Sequence, residues 1–278
     1  MNNQIKKRLL NVMYYLILFV CMAVVIYPIF LMLATSFKTN PEVMTNPMGW
    51  PKKMNWNGYR QVLSSGNFLR YYGNSAFVTM MSLLVILVTS IMAAYPLSRF
   101  RFKFNRTFYV YFLFGIMLPI RLAVVDLFMV LNTIHLFDSL WGLILIYSAM
   151  GIPFSVFIIT GFMQDIPKEI EEAARVDGCS DFRILLQIFL PLVRPAVATA
   201  LVYNFIPIWN DFYFPLIFIR TEALKTVPLG TAIFFGQYQT NWPTAFAALN
   251  MAIIPPMLFY LLMSKQFIKG LTAGAVKG

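Results

Sequence analysis

Residues 12–37 contain no charged side chain. As an α-helix rising about 1.5 Å per residue, this run is longer than the ~30 Å hydrocarbon core of a bilayer is thick, so the chain begins with an element that has to cross a membrane. Lys6, Lys7 and Arg8 precede it. A cleaved leader would carry an apolar core of only about 7–15 residues followed by a small-residue cleavage site, and neither fits here. The run is therefore read as a retained first span, tilted or kinked at Pro28, with its N-terminus in the cytoplasm. Five further apolar runs, at about 75–97, 107–131, 140–162, 196–219 and 244–264, repeat the pattern, giving an all-α, six-span integral membrane protein in a single domain.

Composition agrees: 59% of residues are hydrophobic and 12% charged, with a mean hydropathy of +0.70. A soluble domain would need far more polar surface. The net charge of +11 would suit nucleic acid, but the basic residues lie in short clusters beside the apolar runs, which is the signature of membrane topology and excludes a binding stripe. Arg99, Arg101, Lys103 and Arg106 follow the second run with no acid among them and mark a cytoplasmic turn. Residues 38–72 hold Lys38, Lys52, Lys53, Arg60 and Arg70 against one acid, counter to a simple charge count; a long loop weighs less in that rule, and the segment is expected outside. Lys265, Lys269 and Lys277 hold the tail 265–278 inside, so both termini are expected in the cytoplasm.

Breaks and charges inside spans point to a polar path. Pro119 breaks the third run, which also holds Arg121 and Asp126; at five positions apart these suit each other poorly on one helix face, and a pathway lining and a helix-end position remain open for them. Pro207, Trp209-Asn210-Asp211 and Pro215 interrupt the fifth run. A break at membrane depth survives where it lines a cavity or packs on protein. Trp209, Asn210 and Asp211 form a candidate cavity cluster, since a ring, an amide and a carboxylate suit a sugar's CH face and hydroxyls; a helix–helix packing contact is the alternative. Residues 220–241 form a last outer loop with a short helix expected at 229–238. No metal set is present: His135 stands alone, and Cys21 and Cys179 lie apart in an apolar span and a polar loop. The glycines and Lys277 of the tail lack the Gly-Lys-Ser/Thr order of a phosphate loop, so the chain is not expected to bind nucleotide or catalyse a reaction.

The most polar long stretch is 164–195, QDIPKEIEEAARVDGCSDFRILLQIFLPLVRP. Asp165 is a candidate cap, Pro167 suits a first turn, and Glu169, Glu171 and Glu172 sit where a helix N-terminus favours anions, so a helix is expected over 167–176. Asp177-Gly178 suits a left-handed turn, after which Ser180 or Asp181 caps a second helix ending near Pro191. Ala173 and Ala174 leave a shallow face, with Glu172 as an acceptor for Arg or Lys.

Glu172-Ala173-Ala174, Gly178, Ile188 and Leu190-Pro191 stand at the spacing of the EAA signature. In this the chain resembles the permeases of ATP-binding-cassette (ABC) importers. The first span, the Trp209-Asn210 pair and the tail extend the resemblance to the maltose-type carbohydrate branch. The resemblance implies a type I importer fold in a bacterial plasma membrane whose 164–195 loop is a cytoplasmic coupling helix docking on an ATPase through Glu171, Glu172, Ala173, Ala174, Asp177 and Gly178. It also implies that the tail, with Lys277, inserts between the ATPases. The implied partners are a second permease, two ABC ATPase subunits that hold the ATP and magnesium, a binding protein outside the membrane that delivers the carbohydrate, expected to be an oligosaccharide, and lipid; nucleic acid is not among them. Arg121, Asp126 and the 38–72 loop lie outside the family pattern. Two other readings compete: a carrier driven by an ion gradient, with Asp126 and Asp211 as its only intramembrane carboxylates, and a membrane anchor that transports nothing.

Overall fold

The structure, a computed structural model, describes residues 3–65, 67–235 and 241–275. Most of those residues are helical, with no strand among them. Lipid offers the backbone no hydrogen-bond partners, and a helix satisfies its own. Four helices are long and apolar enough to cross a membrane: α1 (Asn3–Ser36), α4 (Phe68–Arg99), α7 (Leu140–Gln164) and α13 (Trp242–Ala275). Two bent pairs join them if each is one broken span. The first is α5 (Asn105–Met117) with α6 (Ile120–Thr133), bent by 78°; the second is α9 (Asp181–Leu192) with α10 (Arg194–Asn210), bent by 75°. Short helices complete the chain: α2 (Asn40–Thr45), α3 (Asn57–Ser64), α8 (Lys168–Val176), α11 (Tyr213–Phe218) and α12 (Val227–Thr231).

Local chemistry explains most ends and several departures from the sequence reading. Leu118 is extended, as a residue before proline prefers, so the third run splits at Pro119 into two helices. Pro28, Pro255 and Pro256 lie inside continuous helices. Pro207 does too, contrary to the expectation that it breaks the fifth run: α10 passes through it to Asn210, and the chain opens only at Asp211 before α11 begins. The sharp bend falls earlier, at Val193, where Pro195 occupies the first turn of α10 and loses no hydrogen bond there. The second run starts its helix at Phe68, so the end of the expected 38–72 loop is already helical. Of the helix expected over 229–238, residues 236–238 lie outside the described residues; before them α12 covers Val227–Thr231 and a 3-10 turn covers Ala232–Phe234.

The chain divides into two compact units, residues 1–68 with 231–253 and residues 69–230 with 254–278. In the first, α1 exposes Val, Leu, Ile and Phe along its length, and none of its apolar window is buried. Beyond α1, Lys38 is fully buried and its ammonium donates to the carbonyls of Asn46 and Pro47 at 2.7 and 3.2 Å, which closes the loop after α2. In the second unit α7 is the axis, with 56% of its apolar window buried. Small residues let neighbours approach it. A Cβ on Gly151 would strike Ile86 of α4 and Asn204 of α10, and one on Gly115 would come within 2.8 Å of Pro153. Asn204 donates to Ser155 Oγ at 3.0 Å, a buried polar bond between α10 and α7.

Candidate functional site

The polar stretch folds as a helix-turn-helix bracket. Helix α8 begins at Lys168 with Pro167 as its flanking extended residue, and Asp165 ends α7 instead of capping α8. Glu169 and Glu171 lie in the first turn and Arg175 in the last, each favoured there by the helix dipole. Gly178 has φ +80°, the left-handed conformation that glycine adopts at least cost, and turns the chain into α9. Helix α9 is irregular: its middle, Leu185–Phe189, is a π-turn. Such turns occur often at functional sites.

The bracket is seated on the ends of α4 and α7. Ala174, Ile184, Leu185, Phe189 and Val193 share one buried cluster with Ala94 and Tyr95 of α4 and Ile159 and Met163 of α7. Phe189 is fully buried; a side chain of that size contributes roughly 1.5–3 kcal/mol when removed from water. Arg99, the last residue of α4, locks this arrangement. Its guanidinium donates to the carbonyls of Met163 at 2.6 Å and Ile166 at 2.7 Å, satisfying the end of α7, and lies 4.5 Å over the Phe189 ring. Its Nε stands 3.6 Å from a carboxylate oxygen of Glu171. The other oxygen of Glu171 accepts from Arg175 at 2.9 Å, and Arg175 also reaches Asp181 of α9 at 2.6 Å. Hydrogen bonding to Glu171, then the nearby Asp181 carboxylate, raises the Arg175 pKa, keeping it charged.

These contacts sort the residues expected to dock. Glu171 and Ala174 are buried and face inward, Glu171 in the ion network and Ala174 in the core. Glu172, Ala173, Asp177 and Gly178 are exposed on the opposite side. Beside them lie three exposed apolar residues the sequence reading passed over: Ile170, Val176 and Phe182, exposed by 39%, 88% and 64%. Lys277 lies outside the described residues. Arg99, counted only as a topology charge, is the other omission. The spacing of Glu171 and Arg175 by one helical turn was the signal that could have exposed the network.

The expected cavity cluster does not come together. Trp209 is buried against Phe205 and Tyr72. Asn210 is exposed, and its amide donates to the Ile206 carbonyl of its own helix at 3.0 Å. Asp211 borders a cavity of about 150 Å³. Its carboxylate accepts from the Tyr147 hydroxyl at 2.9 Å and the Phe214 N–H at 3.0 Å, and stands 3.7 Å from Arg121. Arg121, poorly spaced to pair with Asp126 along one helix face, instead pairs with Asp211 across from α6 to the break after α10 and lies 5.5 Å over the Tyr213 ring. Successive residues at the end of a helix point to different sides, which is why three neighbours in sequence part in space.

Residues 85–272 match the family described as binding-protein-dependent transport system inner membrane component. The chain belongs to this family. The family is one of transporter permeases, and with its apolar helices the chain is a multi-pass membrane protein. A putative ABC transporter permease protein of Caldicellulosiruptor sp. (strain Rt8B.4) is 38% identical over 266 residues, covering 95% of this permease and 96% of its own length. A probable starch degradation products transport system permease protein of Thermoanaerobacterium thermosulfurigenes is 34% identical, covering 91% of this chain and 92% of its own. An arabinooligosaccharides transport system permease protein of Bacillus subtilis (strain 168) is 30% identical, covering 91% of each. In fold, this permease superposes on a chain of a bacterial ABC transporter that imports the acidic polysaccharide alginate, with a TM-score of 0.86 at 22% identity, over 94% of this chain and 98% of that one.

Proposed function

We propose that this permease is one transmembrane subunit of an ABC importer that moves a carbohydrate, delivered by a binding protein outside the membrane, and that the bracket receives the motion of ATPase subunits. The observation that carries this reading is the seating of the bracket. One side is fixed to the ends of two long helices by Arg99, Glu171 and a buried core, while the other presents Glu172, Ala173, Asp177 and Gly178 to solvent beside Ile170, Val176 and Phe182. A surface with a carboxylate, small residues and exposed apolar side chains suits a docking cleft that offers a cation and a hydrophobic floor. ATP and Mg²⁺ belong to the ATPase partners, and a second permease completes the path. Relatives named for starch products and arabinooligosaccharides support a sugar as cargo. The basic turn 99–106, the bracket and Lys265 then share the cytoplasmic side of a bacterial plasma membrane with both termini.

Purification of the complex with this chain as bait, beside Glu172→Lys, tests the reading. The wild type is expected to bring a second permease and an ATPase, and the variant to lose only the ATPase, because a cation replaces the acceptor. Normal ATPase recovery and normal uptake in the variant would overturn the docking role. Uptake that persists without ATP would favour an ion-driven carrier.

A further inference from the structure

Two cavities adjoin in the second unit and share Met150 and Tyr203. The larger, about 630 Å³, lies in the crook of the α5–α6 bend and is bordered by Pro119, Asp126 and Phe154. The smaller is bordered by Arg121 and Asp211. The larger has the volume of a small-molecule site. Its wall carries the exposed carboxylate of Asp126 beside the break between α5 and α6, and the adjoining smaller cavity carries Arg121, with 66% of its side chain exposed. Each of these features is tolerated at membrane depth only beside water or protein. Tyr203 is half exposed and stacks on Phe154 with ring centroids 3.6 Å apart, which fixes its ring at the junction of the two cavities.

Resting on the reading of this chain as a sugar-importer permease, we propose that this cleft is a translocation site for an uncharged pyranose ring. Tyr203 is its stacking platform, Asp126 its hydroxyl acceptor, and acidic sugars are excluded. The charges decide the class. Asp211 offsets Arg121, whereas Asp126 has no hydrogen bond or ion pair among the described residues. A ligand carboxylate would meet the like charge of Asp126, which no basic side chain pairs among the described residues, and be repelled. A hydroxyl donates to that same carboxylate, and a sugar's CH face suits an aromatic ring. The similar fold that serves an acidic polysaccharide sets no charge preference of its own, because selectivity lies in the side chains.

The test uses the intact, purified transporter without its binding protein and reads saturation-transfer NMR from maltose, cellobiose, diacetylchitobiose and digalacturonate. At least one neutral disaccharide is expected to bind and digalacturonate not to bind. Tyr203→Ala should weaken the neutral sugar roughly tenfold while Tyr203→Phe retains it, and Asp126→Asn should admit digalacturonate. Unchanged neutral binding in Tyr203→Ala, equal binding of digalacturonate to the wild type, or loss of the partner permease from Tyr203→Ala would overturn the site. Failure of the wild type to import any sugar would overturn the functional reading itself, a result that uptake by the same preparation separates from the others.

Discussion

Arg99 gathers more of the bracket's contacts than any other side chain described here: two carbonyls of the α7 end, the Phe189 ring and the Glu171 carboxylate. Removing one partner of a buried pair costs about 3–5 kcal/mol, because the remaining polar groups stay buried and unpaired. Arg99→Met should therefore lower the thermal unfolding midpoint of the solubilised chain by several degrees and make the bracket sensitive to protease. Glu171→Gln, which keeps the shape and leaves Arg175 bound to Asp181, should cost less; equal midpoints in wild type and Arg99→Met would refute the clamp. Asp138 performs a similar task at another turn. Its carboxylate accepts from the Thr221 hydroxyl at 2.6 Å and from the N–H groups of Arg220 and Thr221 at 2.8 and 3.0 Å. Burial alone would push this carboxyl up, but those hydrogen bonds and the Arg220 charge outweigh burial and hold it below its ordinary value. Its folded pKa being the lower one, the stabilisation is full above the unfolded value, about 4, and is lost as pH falls through the folded value. Unfolding followed from pH 6 down to 3 should show that loss, and Asp138→Ala should remove it.

The bracket is the element where local sequence rules and final structure agree best. Helix α8, the glycine turn and the start of α9 were all legible, because each follows from short-range chemistry: acids in a first turn, a left-handed glycine, and Ser180 at the N-cap position followed by Asp181 in the first turn. Gly178→Ala isolates one of these rules. No atom lies within 4 Å of the added Cβ, so the cost is that of the positive φ alone, about 1–2 kcal/mol. That variant should be expressed and inserted, with ATPase recovery reduced but not abolished; recovery equal to wild type would show that the turn tolerates another backbone path. The bent spans were less legible. Proline marks where a hydrogen bond is missing, but whether the helix breaks depends on what surrounds it. Pro119 and Pro207 look alike in sequence, yet only the first ends a helix.

Across the whole molecule, hydropathy and family signature were written in the sequence, since both rest on patterns local to a span or a loop. Charge-free runs longer than a bilayer require crossing helices, and the EAA spacing singles out one polar loop. Which side of that loop is free was decided only by tertiary structure. Glu171 and Glu172 are adjacent and chemically alike, yet α8 rolls so that Ala174 enters the α4–α7 core, which carries Glu171 inward to Arg99 and leaves Glu172 in solvent. The same holds for the fifth run. Three consecutive residues looked like one cluster, but the helix end sends Trp209 into an aromatic core, Asn210 to the surface and Asp211 to Tyr147. Of the cleft, sequence marked Asp126 and the break at Pro119 but not Tyr203, because its walls come from helices far apart along the chain and meet only when α10 and the α5–α6 bend pack on α7. Sequence determined what each segment must be in lipid or water; long-range packing chose which face of each segment remained available for chemistry.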